Sequence, residues 1–242
     1  MFLFGASATA SKAGKAEKMD LSLVPVLREN VFAPPQDKKQ QKPKPVSKPM
    51  PETKTADECI KRADWWVSGN DYAFIDQAEK ELNKAIGLAP NRAKELKGRL
   101  VDLHIKAANW WVSGNDYAFV SNAIAELKEA SGHAPERKTE INGMIVNLRV
   151  KAANWWVSGN DYSFASQAKT ELKEALKYAP ERKAEINGKL ADLCVKAANW
   201  WVSGNDYSFA SNAIAELKEA VGYAPGRTAE LQKKIDELAK KK

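Results

Sequence analysis

The side chains of this chain that could do chemistry are two histidines, two cysteines and a recurring aspartate. Imidazole groups bind metal ions, but the spacing of His104 and His133 matches no metal-binding motif. The sequence also contains no Gly-rich phosphate loop, no HExxH and no GxSxG. We therefore expect a protein that is not an enzyme, with no catalytic residue, no cofactor and no metal site.

The recurring aspartate follows a Gly-Asn pair in each of four similar segments. A repeated carboxylate suggests metal binding, but each aspartate lies just after Gly-Asn at an expected helix start. There a carboxylate caps free backbone N–H groups and complements the helix dipole. We expect this capping role for Asp71, Asp116, Asp161 and Asp206.

The two cysteines occupy the same position of the repeated segments, six residues before a Trp pair. Stacked helical units advance by roughly 10 Å, and a disulfide needs Cα atoms within about 7 Å. Because Cys59 and Cys194 lie three units apart, we expect free thiols, which slightly favours a reducing compartment. His104 and Arg149 fill the same position in the other units, so we expect it to tolerate substitution and to be partly exposed.

These residues belong to a unit of 45 residues that repeats four times and is marked by WWVSGNDY. Residues 106–150 and 151–195 are identical at 31 of 45 positions. Such self-similarity is typical of stacked repeats, in which each unit buries its apolar face against its neighbours. Adjacent helical residues point about 100° apart, so one ring of each Trp pair should face its own unit and the other ring the next. The tryptophans with this structural role are Trp65, Trp66, Trp110, Trp111, Trp155, Trp156, Trp200 and Trp201.

A row of indole rings also suits the stacking of bases or sugars, which needs basic residues nearby. The net charge of +7 arises at the ends of the chain, since residues 1–54 carry a surplus of five basic side chains and residues 233–242 a surplus of three. The repeat body is left with a net charge of −1. Nucleic-acid binding is therefore the alternative function and not the favoured one.

Each unit contains two helix-breaking signals and hence two helices. One is Ala-Pro, and the other is Ser-Gly-Asn-Asp, in which Gly204 suits the left-handed turn that ends a helix. Apolar residues between Ile186 and Trp201 step by three or four along one helical stripe. Glycine inside a helix costs about 1 kcal/mol against alanine, so its recurrence predicts close approach of a neighbouring helix at Gly98, Gly143 and Gly188. The expected fold is all-α: an α-solenoid of four helix-turn-helix repeats with a C-terminal capping helix.

The stretch GNDYSFASQAKTELKEALKYAP resembles the second half of a tetratricopeptide repeat, because Ala175-Leu176 followed by Pro180 matches the end of that family's second helix. The spacing from Tyr162 to Ala175 is about three residues longer than in that family, whose units have ~34 residues, and the unit length is nearer that of HEAT and armadillo repeats. The resemblance covers residues 55–225. It implies a protein-binding scaffold whose concave face is lined by the first helices.

Composition divides the chain into three regions. Residues 1–35 form a docking segment, with enough apolar residues to bind a partner and too few to fold alone. Residues 36–54 form a Pro/Lys-rich, semi-extended linker. The repeat domain spans 55–242, with repeats at about 55–90, 91–135, 136–180 and 181–225 and a cap at 226–242. The expected partner-binding anchors are Phe2, Leu3, Phe4, Leu21, Leu23, Val24, Val26, Leu27, Val31 and Phe32.

The expected function is a protein–protein interaction scaffold or adaptor, a structural subunit of a larger assembly that is tethered by its extended N-terminal arm. No apolar run reaches the roughly 18–20 residues that span a bilayer, and we expect a cytoplasmic protein. The opening residues leave two other locations open: the cell envelope or periplasm through a secretory signal, and an organelle through a transit peptide.

Overall fold

The computed structural model describes residues 54–241, and this part of the chain is all-helical. The docking segment 1–35 and the linker up to residue 53, with the ten proposed anchors between Phe2 and Phe32, lie outside the described residues. None of the helices found in the described range is long and apolar enough to cross a membrane. The helices are α1 (Ala56–Trp66), α2 (Ile75–Leu88), α3 (Ala93–Trp111), α4 (Val120–His133), α5 (Lys138–Trp156), α6 (Ala165–Ala175), α7 (Lys183–Trp201), α8 (Ala210–Tyr223) and α9 (Thr228–Ala239).

Helices α1, α3, α5 and α7 each end after a Trp pair, in a turn that needs a glycine. The Gly of each Ser-Gly-Asn turn has φ between +69° and +74°, a conformation that other residues rarely adopt. The following aspartate accepts a hydrogen bond of 3.0–3.1 Å from the backbone N–H two residues later. The next α-helix begins four residues after the aspartate, behind a Phe that provides no side-chain cap. The aspartate therefore caps the intervening turn and not the α-helix itself.

A short 3₁₀ turn that starts at proline connects α2, α4, α6 and α8 to the helix that follows. The arginine that ends each turn pairs with a glutamate three residues later and, in most units, with an aspartate 35 residues earlier. Arg92 Nη1, for example, lies 2.7 Å from Asp57 Oδ1 on α1. Exposed pairs of this kind contribute only about 0–1 kcal/mol each.

Apolar side chains of the described residues form four successive cores, and each inner helix that carries a Trp pair contributes to two of them. Helix α3 gives Leu96 and Leu100 to the first core, and Val101 and Trp111 to the second. Helices α5 and α7 divide their apolar residues between adjacent cores in the same way. Each helix packs mainly on the helices before and after it in the sequence. Helix α9 closes the fourth core, in which Leu231 is fully buried.

The second and third Trp pairs lie where neighbouring cores meet. In every pair the two rings pack edge to face, with centroids 4.9–5.1 Å apart, and the second ring contacts a Phe of the next turn at 5.6–5.9 Å. Trp110 contacts the first and second cores, whereas Trp111 belongs to the second. Burial is uneven, because Trp111 and Trp201 are 6% and 7% exposed but Trp65 is 38% exposed. Trp65 lies on the first described helix, which no earlier described helix covers.

The glycines within α3, α5 and α7 do not lie against a neighbouring helix. A Cβ atom added at Gly98, Gly143 or Gly188 would meet nothing within 4 Å. The prediction of close helix approach at these positions is therefore wrong. These glycines lower helix stability without a packing contact in return.

Candidate functional site

The position six residues before each Trp pair is called the slot below, and in the second, third and fourth units its side chain contacts a glutamate of the short helix that follows. It is filled by Cys59, His104, Arg149 and Cys194 in the four units. Cys59 and Cys194 are fully buried, and His104 is 2% exposed. The prediction of a partly exposed slot is wrong for these three residues, because this face of the helix packs inward, whereas Arg149 is partly buried. The two thiols are free, as the repeat spacing predicts.

A glutamate lies at the same place on each following short helix, and in three units a permanently charged side chain neutralises it. These pairs are Arg62–Glu81 at 3.5 Å, Arg149–Glu171 at 2.6 Å and Lys169–Glu216 at 3.1 Å. The carboxylates are only 14–18% exposed. A largely buried carboxylate is costly without such a partner.

The second unit differs, because its glutamate faces an imidazole. His104 Nδ1 lies 2.9 Å from Glu126 Oε2. Since a carboxylate only accepts hydrogen bonds, Nδ1 carries the proton and donates it. On the other side of the ring, Nε2 lies 3.9 Å from Glu79 Oε2, and His133 Nε2 lies 3.7 Å from Glu79 Oε1. We call Glu79, His104, Glu126 and His133 the His–Glu cluster.

The His–Glu cluster joins helices α2, α3 and α4, and hence the first repeat to the second. The two imidazole rings stack with centroids 5.4 Å apart and an interplanar angle of 18°. Both Nε2 atoms are buried without a hydrogen-bond partner. Burial lowers the pKa of His133, and the nearby His104 and Lys97 lower it further, whereas Glu79 and Glu129 act in the opposite direction. The lowered pKa favours a neutral ring at His133.

The corresponding place in the fourth unit holds another set of potential metal ligands: Cys194, Glu216 and Glu219. A cation already occupies it, since Lys169 Nζ lies 3.1 Å from Glu216 Oε2 and 2.6 Å from Glu219 Oε2. Burial raises the pKa of Cys194 to about 12 despite the nearby lysine. The thiol is therefore protonated at neutral pH, and a protonated thiol is a poor metal ligand. This set is a closed ion-pair network and not an open site.

Two open grooves lie at equivalent places in the first and third units. Their volumes are about 430 and 210 Å³. In each, an apolar floor of Ala, Val and Leu side chains is bordered by charged residues, two of them basic. The charged residues are Asp64, Arg99, Asp102 and Lys106 in the first groove and Lys189, Asp192 and Lys196 in the second. An apolar floor with a charged rim suits an amphipathic segment of another protein.

The chain matches no protein-family model, and comparisons with curated proteins and with solved structures give no significant match. The geometry of the described residues is therefore the basis for any functional conclusion.

The grooves and the His–Glu cluster do not follow from motif spacing, because their residues come from separate helices. A comparison of the repeats contains a signal for the cluster. Where the second unit has His104 and His133, the fourth unit has Cys194 and Tyr223. Likewise, the repeat before the second unit has the acidic Glu79 where the repeat before the fourth unit has the basic Lys169.

Proposed function

We propose that this protein is a non-enzymatic scaffold that binds protein partners along a row of helical repeats. In this proposal the units stack as a tetratricopeptide-like α-solenoid, and residues 1–54 tether the repeats to a larger assembly. The observation that supports it most is the recurrence of a groove with a similar apolar floor and two basic rim residues at equivalent places of the array. A single catalytic pocket has no reason to recur, whereas a binding surface gains from repetition.

The composition of the grooves indicates the kind of segment that they would bind. Leu82 and Leu103 line the first groove, and Leu172 and Leu193 line the second. Each groove can therefore bind an apolar side chain of a partner. In the groove of Lys189 and Lys196, two lysines outnumber one aspartate, which favours a segment with acidic residues beside its apolar anchors. In the first groove, two basic and two acidic residues balance. Each groove is small, but a partner that fills both at once binds more tightly than either site allows alone.

Nucleic-acid binding, the alternative function, has less support from the same surface. Asp102 interrupts the basic rim of the first groove, and Asp192 interrupts the basic rim of the second. The repeat body has a net charge of −1, with the excess of basic residues at the two ends of the chain. A phosphate backbone requires a continuous basic surface. The proposal also places the protein in the cytoplasm, where free thiols persist.

Charge reversal at the rims tests the scaffold function. Full-length protein carrying Lys106→Glu and Lys196→Glu should no longer co-sediment with its native complex in extracts of its source cells. The matched control carries Lys94→Glu and Lys183→Glu, because these lysines are exposed on the same two helices but do not line the grooves. The control should co-sediment like the wild type, and both variants should melt within a few degrees of it.

Two results would contradict the proposal. Equal behaviour of the rim variant and the control would show that the grooves are not the binding surface. Dissociation of the native complex at about 0.5 M salt, together with sensitivity to nuclease, would favour nucleic-acid binding, which weakens steeply with ionic strength.

A further inference from the structure

We propose that Glu79, His104 and His133 form a binding site for a divalent transition-metal ion of the zinc type, which clamps the first repeat to the second. One ligand atom of each residue lies within 4.8 Å of the other two. Two imidazoles and one carboxylate are a ligand set that suits Zn²⁺. The inference does not depend on the scaffold function.

The orientation of His104 is the first argument. Its Nδ1 proton is held by Glu126 at 2.9 Å. In the neutral ring, Nε2 then carries a lone pair, which points towards the Glu79 carboxylate at 3.9 Å. A buried nitrogen lone pair that faces a carboxylate is unfavourable unless a positive species lies between them. His133 Nε2, also buried without a hydrogen bond, lies 3.7 Å from the same carboxylate.

Either protons or a metal ion could supply this positive charge. Protonation of both rings would place two imidazolium ions in a stack with a centroid distance of 5.4 Å. Like charges at such a distance in a buried site repel each other strongly. One metal ion instead accepts lone pairs from both Nε2 atoms and from the carboxylate at the same time. It thus links both Nε2 atoms and the carboxylate through one bound species, which a single proton on either ring cannot do.

The other units provide a comparison within the same chain. Arg149 neutralises Glu171 in the third unit, and Lys169 neutralises Glu216 in the fourth. Within residues 54–241, neither Glu79 nor Glu126 forms an ion pair with a Lys or Arg. Lys97 and Glu129 also act on His133, but with opposite signs. The His–Glu cluster therefore has two carboxylates without a fixed cation, a deficit that a divalent ion matches.

The distances fit a metal site that tightens on binding. Zinc ligands about 2.1 Å from the ion in tetrahedral geometry are about 3.4 Å apart. The two histidine–carboxylate distances of 3.7 and 3.9 Å need only small movements. Glu79 and His133 are 30% and 21% exposed, so their side chains have room to rotate. Buried His104 stays fixed by Glu126, the carboxylate–histidine–metal arrangement that orients many ligating histidines.

Metal titration of the full-length chain tests this site. After dialysis against EDTA and its removal, Zn²⁺ should bind with a stoichiometry of one per chain in isothermal titration calorimetry. The melting temperature should rise by roughly 5–10 °C when free zinc is about a hundredfold above Kd. Mg²⁺ prefers six oxygen ligands and should cause no rise. The absence of a zinc response in the wild type would overturn the proposal.

The chain itself suggests the variants. Glu79→Lys recreates the arrangement around Lys169, so it should fold and melt at or above the zinc-free wild type without responding to zinc. His133→Tyr recreates Tyr223 and should weaken zinc binding at least tenfold. Both variants keep Cys59 and Cys194, so a full zinc response in both would place the metal elsewhere and refute the site. If Glu79→Lys fails to fold, the His133→Tyr comparison decides alone.

Discussion

Removal of one buried indole ring should weaken the array far more than removal of an exposed one from the same motif. Trp111 is 6% exposed, packs on Phe119 at a centroid distance of 5.7 Å, and donates its Nε1–H to Glu126 Oε1 at 3.3 Å. Trp65 is 38% exposed and meets Trp66 edge to face at 4.9 Å. The two tryptophans belong to the same sequence motif, but in the structure Trp111 is buried and Trp65 is exposed.

The expected magnitudes follow from the burial. A buried tryptophan removes roughly 200 Å² from water, worth about 3–5 kcal/mol once a compact unfolded chain is allowed for. Measured Trp→Ala costs in cores are about 3–5 kcal/mol, including the cavity. We therefore expect Trp111→Ala to lower the free energy of unfolding by about 4 kcal/mol. Trp65→Ala leaves an open surface and no cavity, and should cost about 2 kcal/mol or less.

Urea unfolding followed by far-UV circular dichroism measures both free energies. The buffer should contain EDTA, because Glu126 contacts both Trp111 and His104, and metal binding would otherwise mask part of the loss. Trp111→Phe is a useful third variant, since it keeps a ring in the core and loses the indole donor. If the Ala variants at 111 and 65 differ by less than about 1 kcal/mol, the tryptophans do not stabilise the array through core burial.

Other perturbations test the remaining features. Although burial raises the pKa of Glu219, hydrogen bonds from Lys169 and Tyr223 bring it down to about 2, below the ordinary 4.5. The carboxylate therefore stabilises the fold above about pH 4.5, and this contribution is lost as the pH falls towards 2. With a discount for its one-third exposure, acid titration should destabilise the wild type by roughly 1–2 kcal/mol more than Glu219→Gln. Gly188→Ala should raise the free energy of unfolding by about 0.5–1 kcal/mol, because the site is helical and open. Gly159→Ala should lower it by about 1 kcal/mol, because this glycine has φ +71°. Changes of the opposite sign would refute both assignments. Deletion of residues 151–195 should leave a folded helical protein with a lower melting temperature, since stability is roughly additive over repeats, and complete unfolding by circular dichroism would argue for one indivisible domain.

The helices and turns could be predicted from the sequence because their signals are local. Pro180 marks the start of a connecting turn, and Gly204 adopts the positive φ expected of it. Local signals carry no information on which side a neighbour lies. For this reason two predictions were wrong: Gly188 does not lie against a neighbouring helix, and Cys194 is buried and not partly exposed.

The His–Glu cluster could not be predicted from spacing, because its ligands come from three helices of two repeats. Glu79, His104 and His133 approach one another only when α2, α3 and α4 pack in register. Motif rules assume ligands on one helix or one loop, so they overlook such a set. The grooves were missed for the same reason, since Leu82 and Lys106 lie on different helices.

The slot also bears on how nearly identical repeats avoid assembling in the wrong order. Such repeats risk swapping partners during folding, within one chain or between two chains. Two of the slots, however, lie beside a charged residue of the preceding repeat: Glu79 beside His104 and Lys169 beside Cys194. An exchange would place Glu79 beside Glu216 and Glu219. Mismatched charges would then penalise the misassembled form, so these buried polar groups act as an address that identifies the correct neighbour.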